Sequence, residues 1–410
     1  MLAPTSSSVV VVLLLACAAL LVAVVRARPV VVKAAAGIGV IALGMATGVV
    51  AVNDYFGYYT SWSEAIAGTF GGATATKDTI DTRQIGAAPV RYGRTLSVDL
   101  PGRDSGIDRP GLVYLPPQYG LRQYRTVRFP VVELMHGTPG SPRSWTVEFD
   151  VARTIDTLLT QRGIGPMVFV MPDITQGRSQ QECLNYGRVR DDTYVSHDVV
   201  ADLERRFRVT RDRSQWAAVG YSSGGYCAAN LALRHRHDYG AVAALDGYYW
   251  PGDGPASKRL AGDPAAQRAN DPLGIADSLR TGTVPMPQFW VSAGTGSTDD
   301  YNSAKDFVTA MSRFEGVTFV AQPGAEHNFY AWRDQLPRAL RWVWSAIATP
   351  ALRVEFPTGG PVRTATVSRD ARAAVRPKRQ ARFHPPASVP VPLKTSGPSA
   401  RPSVRRARAS

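Results

Sequence analysis

Hydrophobic and polar positions divide the chain into four stretches. Residues 9–25 and 34–52 are apolar and uncharged throughout, each close to the roughly 20 residues a helix needs to cross a hydrocarbon core. Between them lie Arg26, Arg28 and Lys33, with Pro29 breaking the helix. A short basic loop belongs on the cytoplasmic side. The pattern therefore predicts a transmembrane helical hairpin over residues 1–54, its N-terminus outside, that delivers the rest of the chain to the exterior. A cleaved signal peptide is the competing expectation, but its basic residues would precede the first apolar run, not follow it. Tyr55, Phe56, Tyr58, Tyr59 and Trp62 fall where an interfacial belt is expected. Gly44 and Gly48 have the spacing that lets two membrane helices pack closely.

Residues 55–90, rich in Gly, Ala and Thr, read as a linker. The pattern then changes to short apolar runs at 95–100, 112–115, 130–134, 166–171, 216–219, 241–245, 288–293 and 317–321. Helical periodicity fills most of the gaps, at 151–161, 196–207, 225–235, 301–314 and 330–347. Apolar strands alternating with helices predict a mostly parallel, doubly wound α/β sheet over residues 91–350, with ligands at the strand C-terminal edge. The polar insert at 251–284 is placed by this order over that edge. From about residue 350 periodicity gives way to Pro, Arg, Ala and Ser, a disordered composition.

Charge modifies this picture at one place only. The 410-residue chain has 47 Lys and Arg against 33 Asp and Glu, a net of +14. Thirteen of those bases and two of those acids lie in residues 351–410, so the tail carries +11 and the remainder is nearly balanced. Such a tail attracts phosphates, but its predicted exterior position and near lack of aromatics argue against nucleic acid. An anionic lipid headgroup or envelope polymer suits it better. Cys17 lies in the first apolar run, whereas Cys183 and Cys227 fall in the exterior domain. There a disulfide is permitted between Cys183, in the loop after the 166–171 strand, and Cys227, one turn into the helix that begins at Gly225.

One stretch carries candidate chemistry. Trp216 to Val219 reads as a buried strand, Gly220-Tyr221-Ser222-Ser223-Gly224 as a tight turn, and Gly225 onward as a helix. That is the layout of a nucleophile elbow, in which a sharp strand-to-helix turn lifts a serine above the sheet. The helix N-terminus favours the negative charge that develops there. A serine hydroxyl needs a base, and the base an orienting acid, in the chain order Ser, Asp or Glu, His. His327 follows the last predicted strand and precedes the final helix, the place of such a base. The acid is expected in Gly294-Thr295-Gly296-Ser297-Thr298-Asp299-Asp300, as Asp300, with Asp299 the alternative or a helix cap. The oxyanion hole is expected from the N–H groups of Ser223 and of Gly137 or Thr138, since Pro139 has none. His136 reads as a packing residue.

The order His136-Gly137-Thr138-Pro139-Gly140, Met171-Pro172-Asp173, the elbow, the Asp299-Asp300 loop and Glu326-His327-Asn328-Phe329 resembles the Putative esterase family of α/β-hydrolases. That family groups esterase-D-like enzymes with secreted mycolyltransferases, and the similarity spans roughly residues 90–348. In the mycolyltransferases the acid is a glutamate, which falls on Asp300, and the elbow's Tyr221 and Ser223 also depart from their pattern. The resemblance implies ester hydrolysis or acyl transfer without metal or organic cofactor. Together these readings predict a membrane-anchored, extracytoplasmic serine esterase or acyltransferase acting on an amphiphilic or envelope ester. The alternative is a catalytically silent envelope protein that binds carbohydrate or lipid on the same fold.

Overall fold

Among the described residues eight of the ten strands make one sheet, and its order explains where the functional edge lies. The computed structural model describes residues 3–63, 65–66, 92–175, 182–250, 258, 260, 262–280 and 285–358. The strands are β1 (Arg94–Pro101), β2 (Asp108–Leu115), β3 (Val131–Met135), β4 (Val168–Pro172), β5 (Asn185–Tyr186), β6 (Val189–Arg190), β7 (Trp216–Tyr221), β8 (Ala241–Leu245), β9 (Gln288–Gly294) and β10 (Val317–Gln322). The sheet order is β1-β2-β4-β3-β7-β8-β9-β10, with β5 and β6 a separate two-stranded ladder. Within the eight-stranded sheet β1 with β2 and β2 with β4 are antiparallel, and every other pair is parallel. This is the α/β-hydrolase arrangement. β3, β4, β7 and β8 are buried at every position, as strands covered by helices on both faces must be.

Register sets the functional rim. Tyr221 pairs with Leu245, and Leu245 with Ser292. The residues that follow, Ser222 after β7 and Asp246 after β8, therefore leave the sheet side by side. Their backbones continue the ladder, with Ser222 N donating to Leu245 O (3.0 Å) and Asp246 N to Ser292 O (2.8 Å).

Helix Val151–Thr160 and the final helix Phe329–Ile347 cover one face with Trp145, Phe149, Leu336, Leu340 and Trp344. Helices Ser223–Arg234 and Thr298–Met311 cover the other. Order extends past residue 350 in a short helix, Pro350–Glu355, because Leu352 and Phe356 are buried and Phe356 packs on Tyr124 with ring centroids 5.0 Å apart. The tail from residue 359 and most of the 55–90 stretch lie outside the described residues. So do residues 251–257 and 281–284 of the insert. Within that insert, helix Pro272–Ser278 buries Ala276 and packs Leu273 and Ile275 against the main core.

The two apolar helices, Ser7–Arg26 and Val30–Phe56, are long and apolar enough to cross a membrane. They pair as a hairpin. Cys17 Sγ lies 3.8 Å from Val40 O, and Asn53 Nδ2 donates to Pro4 O (3.2 Å). Gly44 and Gly48 are not the packing site expected of them: a Cβ at either would meet nothing within 4 Å. Their spacing places both on the helix's outward face, and the close approach falls instead at Gly39, against Leu20.

The hairpin's mouth is tied to the α/β unit. Asn53 holds both polar groups of Tyr59, donating to its carbonyl and accepting from its N–H (each 2.9 Å). Arg333 of the final helix donates to Gly57 O and Tyr58 O (each 2.7 Å) and to Glu148 O.

Glu133 sits in β3, wholly buried, bonded by the hydroxyl of Tyr239 (2.8 Å) and with its other oxygen unpartnered. Burial pushes its carboxyl up to about 7, against the hydrogen bond of Tyr239 and the charge of Arg213. Because its folded-state pKa is raised, the stability it contributes is full below its unfolded pKa and is lost as pH rises through about 7. Glu133→Gln keeps the tyrosine's acceptor without a charge. The variant should unfold at a higher temperature than the wild type at pH 8, by about 1–3 kcal/mol of stability, and the gap should close toward pH 5. Thermal unfolding at both pH values checks this.

Candidate active site

The elbow is built by glycines that leave no room for anything else. A Cβ on Gly220 would overlap the carbonyl of Gly224, and one on Gly224 would overlap the carbonyl of Met135 in the neighbouring strand. Between them Ser222 takes φ 54°, ψ −126°, a conformation L residues adopt only where the surroundings compel it. The turn aims Oγ away from the sheet and starts helix Ser223–Arg234 immediately behind it. The orphan N–H groups of that first turn therefore face the same space.

His327 arrives from the loop after β10. Its backbone N–H donates to Ser297 Oγ (2.7 Å), and Asn328 caps the final helix by accepting from Ala331 N (3.2 Å). This brings Nε2 to 2.9 Å from Ser222 Oγ. The edge of the ring meets Trp332, with centroids 5.0 Å apart.

Two carboxylates stand at the imidazole's other nitrogen. Nδ1 lies 2.9 Å from Asp300 Oδ2 and 3.2 Å from Asp246 Oδ2, in hydrogen-bond alignment with neither. Asp300 is in the first turn of helix Thr298–Met311 with its side chain 28% exposed, whereas Asp246 is fully buried. Burial lowers the imidazole's affinity for a proton, but the two carboxylates outweigh it and raise His327 to about 9. The donor atoms of Asp246, Asp300 and His327 lie within 4.8 Å of one another, a spacing a divalent cation also accepts.

Ser222, His327 and Asp300, expected from the sequence to form one site, are thus brought together. Asp299 is not: it is exposed in the same helical turn, and the N-cap there is Ser297. Asp246 was not singled out in the sequence. Its signal was a lone acid directly after an apolar strand, at the edge where ligands are expected, but only the β7–β8–β9 register places it beside the histidine.

The loop expected to complete an oxyanion hole lies against the elbow. Ser223 Oγ donates to Thr138 Oγ1 (3.0 Å), bridging the two sides. A Cβ on Gly137 would crowd the Tyr221 ring and the Ser222 side chain. His136, buried, accepts from Ile174 N at Nε2 (3.2 Å) and so donates from Nδ1 to Gly137 O (2.9 Å), fixing that peptide. Cys183 and Cys227 are joined, Cα atoms 5.4 Å apart, tying the loop after β4 to the helix behind the elbow. Aromatic rings surround the whole: Tyr221 packs on Trp332, Phe149, Trp145 and Phe329, and Phe329 meets Tyr58 at the hairpin's mouth with centroids 5.2 Å apart.

An elbow serine and a strand-end histidine on a mostly parallel sheet define an α/β-hydrolase of the serine type. Residues 104–343, more than half of the chain, match the family described as "Putative esterase", and the protein belongs to it. A curated relative, an uncharacterised protein of Corynebacterium glutamicum, is 27% identical over 282 residues. The match takes in 65% of this chain and spans 64% of that relative's length. Among solved structures, a ferulic acid esterase superposes with a TM-score of 0.55 at 20% identity, covering 63% of this chain and 99% of that one. An S-formylglutathione hydrolase from Agrobacterium tumefaciens gives 0.53 at 17% identity, with 64% and 99% covered. At these identities the likeness is one of fold.

Proposed function

We propose that the protein is a serine esterase or acyltransferase whose catalytic unit stands outside the cytoplasmic membrane, anchored by the N-terminal hairpin, and acts on an amphiphilic or envelope ester. The observation that carries the chemistry is the 2.9 Å contact between His327 Nε2 and Ser222 Oγ, within a general base's reach of the proton it removes. In the proposed cycle Ser222 Oγ attacks the ester carbonyl as Nε2 takes its proton. The N–H groups of Ser223 and Thr138 or Gly137 hold the oxyanion, a contribution of about 3 kcal/mol for each donor. The imidazolium, steadied by Asp300, gives its proton to the departing alcohol. An acyl-enzyme remains, and water or an acceptor hydroxyl attacks its carbonyl as its proton passes to Nε2; the acyl–Oγ bond then breaks and Nε2 returns the proton to Oγ, which regenerates Ser222. Water as acceptor makes an esterase, and a sugar hydroxyl makes a transferase.

Three features favour the exterior, membrane-bound setting. Arg26, Arg28 and Lys33 cluster at the hairpin's closed end, which the positive-inside rule assigns to the cytoplasm. The Cys183–Cys227 bond suits an oxidising compartment. The hairpin's open end is held by Arg333, which lies six residues after His327, and is continuous with the aromatic shell under Ser222.

The full-length chain in lipid vesicles, given short-chain and long-chain p-nitrophenyl esters with and without a sugar acceptor, tests the reading. Release of nitrophenol that favours long chains is expected, with acyl-sugar formed if transfer dominates. No release above the level of a Ser222→Ala preparation from any ester would contradict it.

A further inference from the structure

A carboxylate is costly to bury without strong partners, and Asp246 is buried completely at the end of β8. Its partners converge from three elements. Oδ1 accepts from Gly294 N at the end of β9 (3.1 Å), and Oδ2 from Trp332 Nε1 of the final helix (3.3 Å). The same Oδ2 lies 3.2 Å from His327 Nδ1. Its backbone is held at φ 54° without being glycine, in the left-handed region where non-glycine residues persist only when the fold over-determines them. Two neutral N–H donors leave the carboxylate's charge unanswered, and among the described residues the one cationic partner in reach is the imidazole when protonated.

Asp300 reaches that nitrogen from a helix turn with its side chain partly in solvent, where water competes for it and the side chain has freedom to swing. Asp246 has neither. We infer that Asp246 is a second orienting acid: a positioning residue that holds His327 in its working orientation together with Asp300, so that the base is set from a strand end and a helix turn instead of from one element. The inference rests on the serine-hydrolase reading above. A purely structural brace across β8, β9 and the final helix would need the Gly294 and Trp332 contacts only. The 3.2 Å approach to Nδ1 is what that alternative leaves unexplained.

The charged and titratable groups facing the imidazole are Asp246 from β8 and Asp300 from helix Thr298–Met311. Tyr249, beyond them on the β8 loop, faces the same carboxylates, and its burial keeps it neutral. The histidine's titration thus reports on both acids.

The experiment measures kcat/KM against pH on a p-nitrophenyl ester for the full-length wild type, Asp246→Asn, Asp300→Asn, the double variant and His327→Ala, together with fluorophosphonate labelling rates. With two orienting acids, Asp300→Asn should lose about tenfold and the double variant about 10^4-fold, the scale of removing a lone triad acid. Asp246→Asn should move the acid limb of the profile down by about one pH unit or more. The idea is overturned if Asp300→Asn alone falls to the level of His327→Ala, or if a folded Asp246→Asn keeps the wild-type acid limb. Should Asp246→Asn not fold, the Asp300→Asn comparison still decides, because that side chain is partly exposed in a helix's first turn. A wild type that the probe does not label sinks the serine reading itself, a different outcome from either.

Discussion

Ser222→Ala should lower kcat/KM on any ester the protein turns over by about 10^4-fold or more, with the fold and thermal stability intact. The expected size follows from the chemistry assigned to one atom. The acyl group must be bonded to Oγ in the cycle, and a methyl group has no lone pair with which to form that bond. The residual rate comes from the oxyanion donors and from binding, which the substitution leaves in place. The change is small in structural terms. Ser222 Oγ bonds to His327, whose side chain is part-exposed, so removing it takes one partner from the imidazole and disturbs no core contact, and alanine inherits the strained turn without enlarging it. Kinetics beside a thermal melt separate the two effects: a fall in rate with an unchanged melt is the expected pair.

The second large effect is with pH. His327 is raised to about 9, burial opposing the rise and Asp246 and Asp300 causing it. A protonated imidazole cannot accept the serine's proton, so kcat/KM should climb as pH rises through about 9. At pH 7 only roughly one molecule in a hundred carries the free base, which predicts a rise of roughly a hundredfold between pH 7 and the plateau. The folded state gains from the same raised pKa in the opposite sense. That stability is complete below the ordinary histidine pKa and is lost as pH climbs through about 9, so the protein should be most active where it has given up part of this stabilisation. A pH–rate profile, read with stability at each pH, shows both trends.

Much of this architecture is legible in the residue pattern. The central runs of the main sheet are visible because a parallel strand covered on both faces must be apolar at nearly every position, as β7 and β8 are. The elbow announces itself because Gly220 and Gly224 are sites where a side chain has no space. The two-residue strands β5 and β6 leave no periodic trace. Asp246 was hidden for a different reason. An acid after a strand looks the same whether it turns the chain toward solvent or meets a histidine, and only the register that sets Leu245 beside Tyr221 distinguishes the two. Gly44 and Gly48 show the converse: a spacing has meaning only on the helix face that meets a partner. The hairpin's attachment through Arg333 was likewise unreadable, because its acceptors are backbone carbonyls at Gly57 and Tyr58 that no sequence marks.

The most direct measurement is the position of a covalent fluorophosphonate adduct, found by peptide mass spectrometry on the intact, membrane-reconstituted chain. The account predicts one adduct, on Ser222, formed rapidly in the wild type and lost in His327→Ala. An adduct on another residue, or none at a pH where the protein is folded and His327 is neutral, would contradict it.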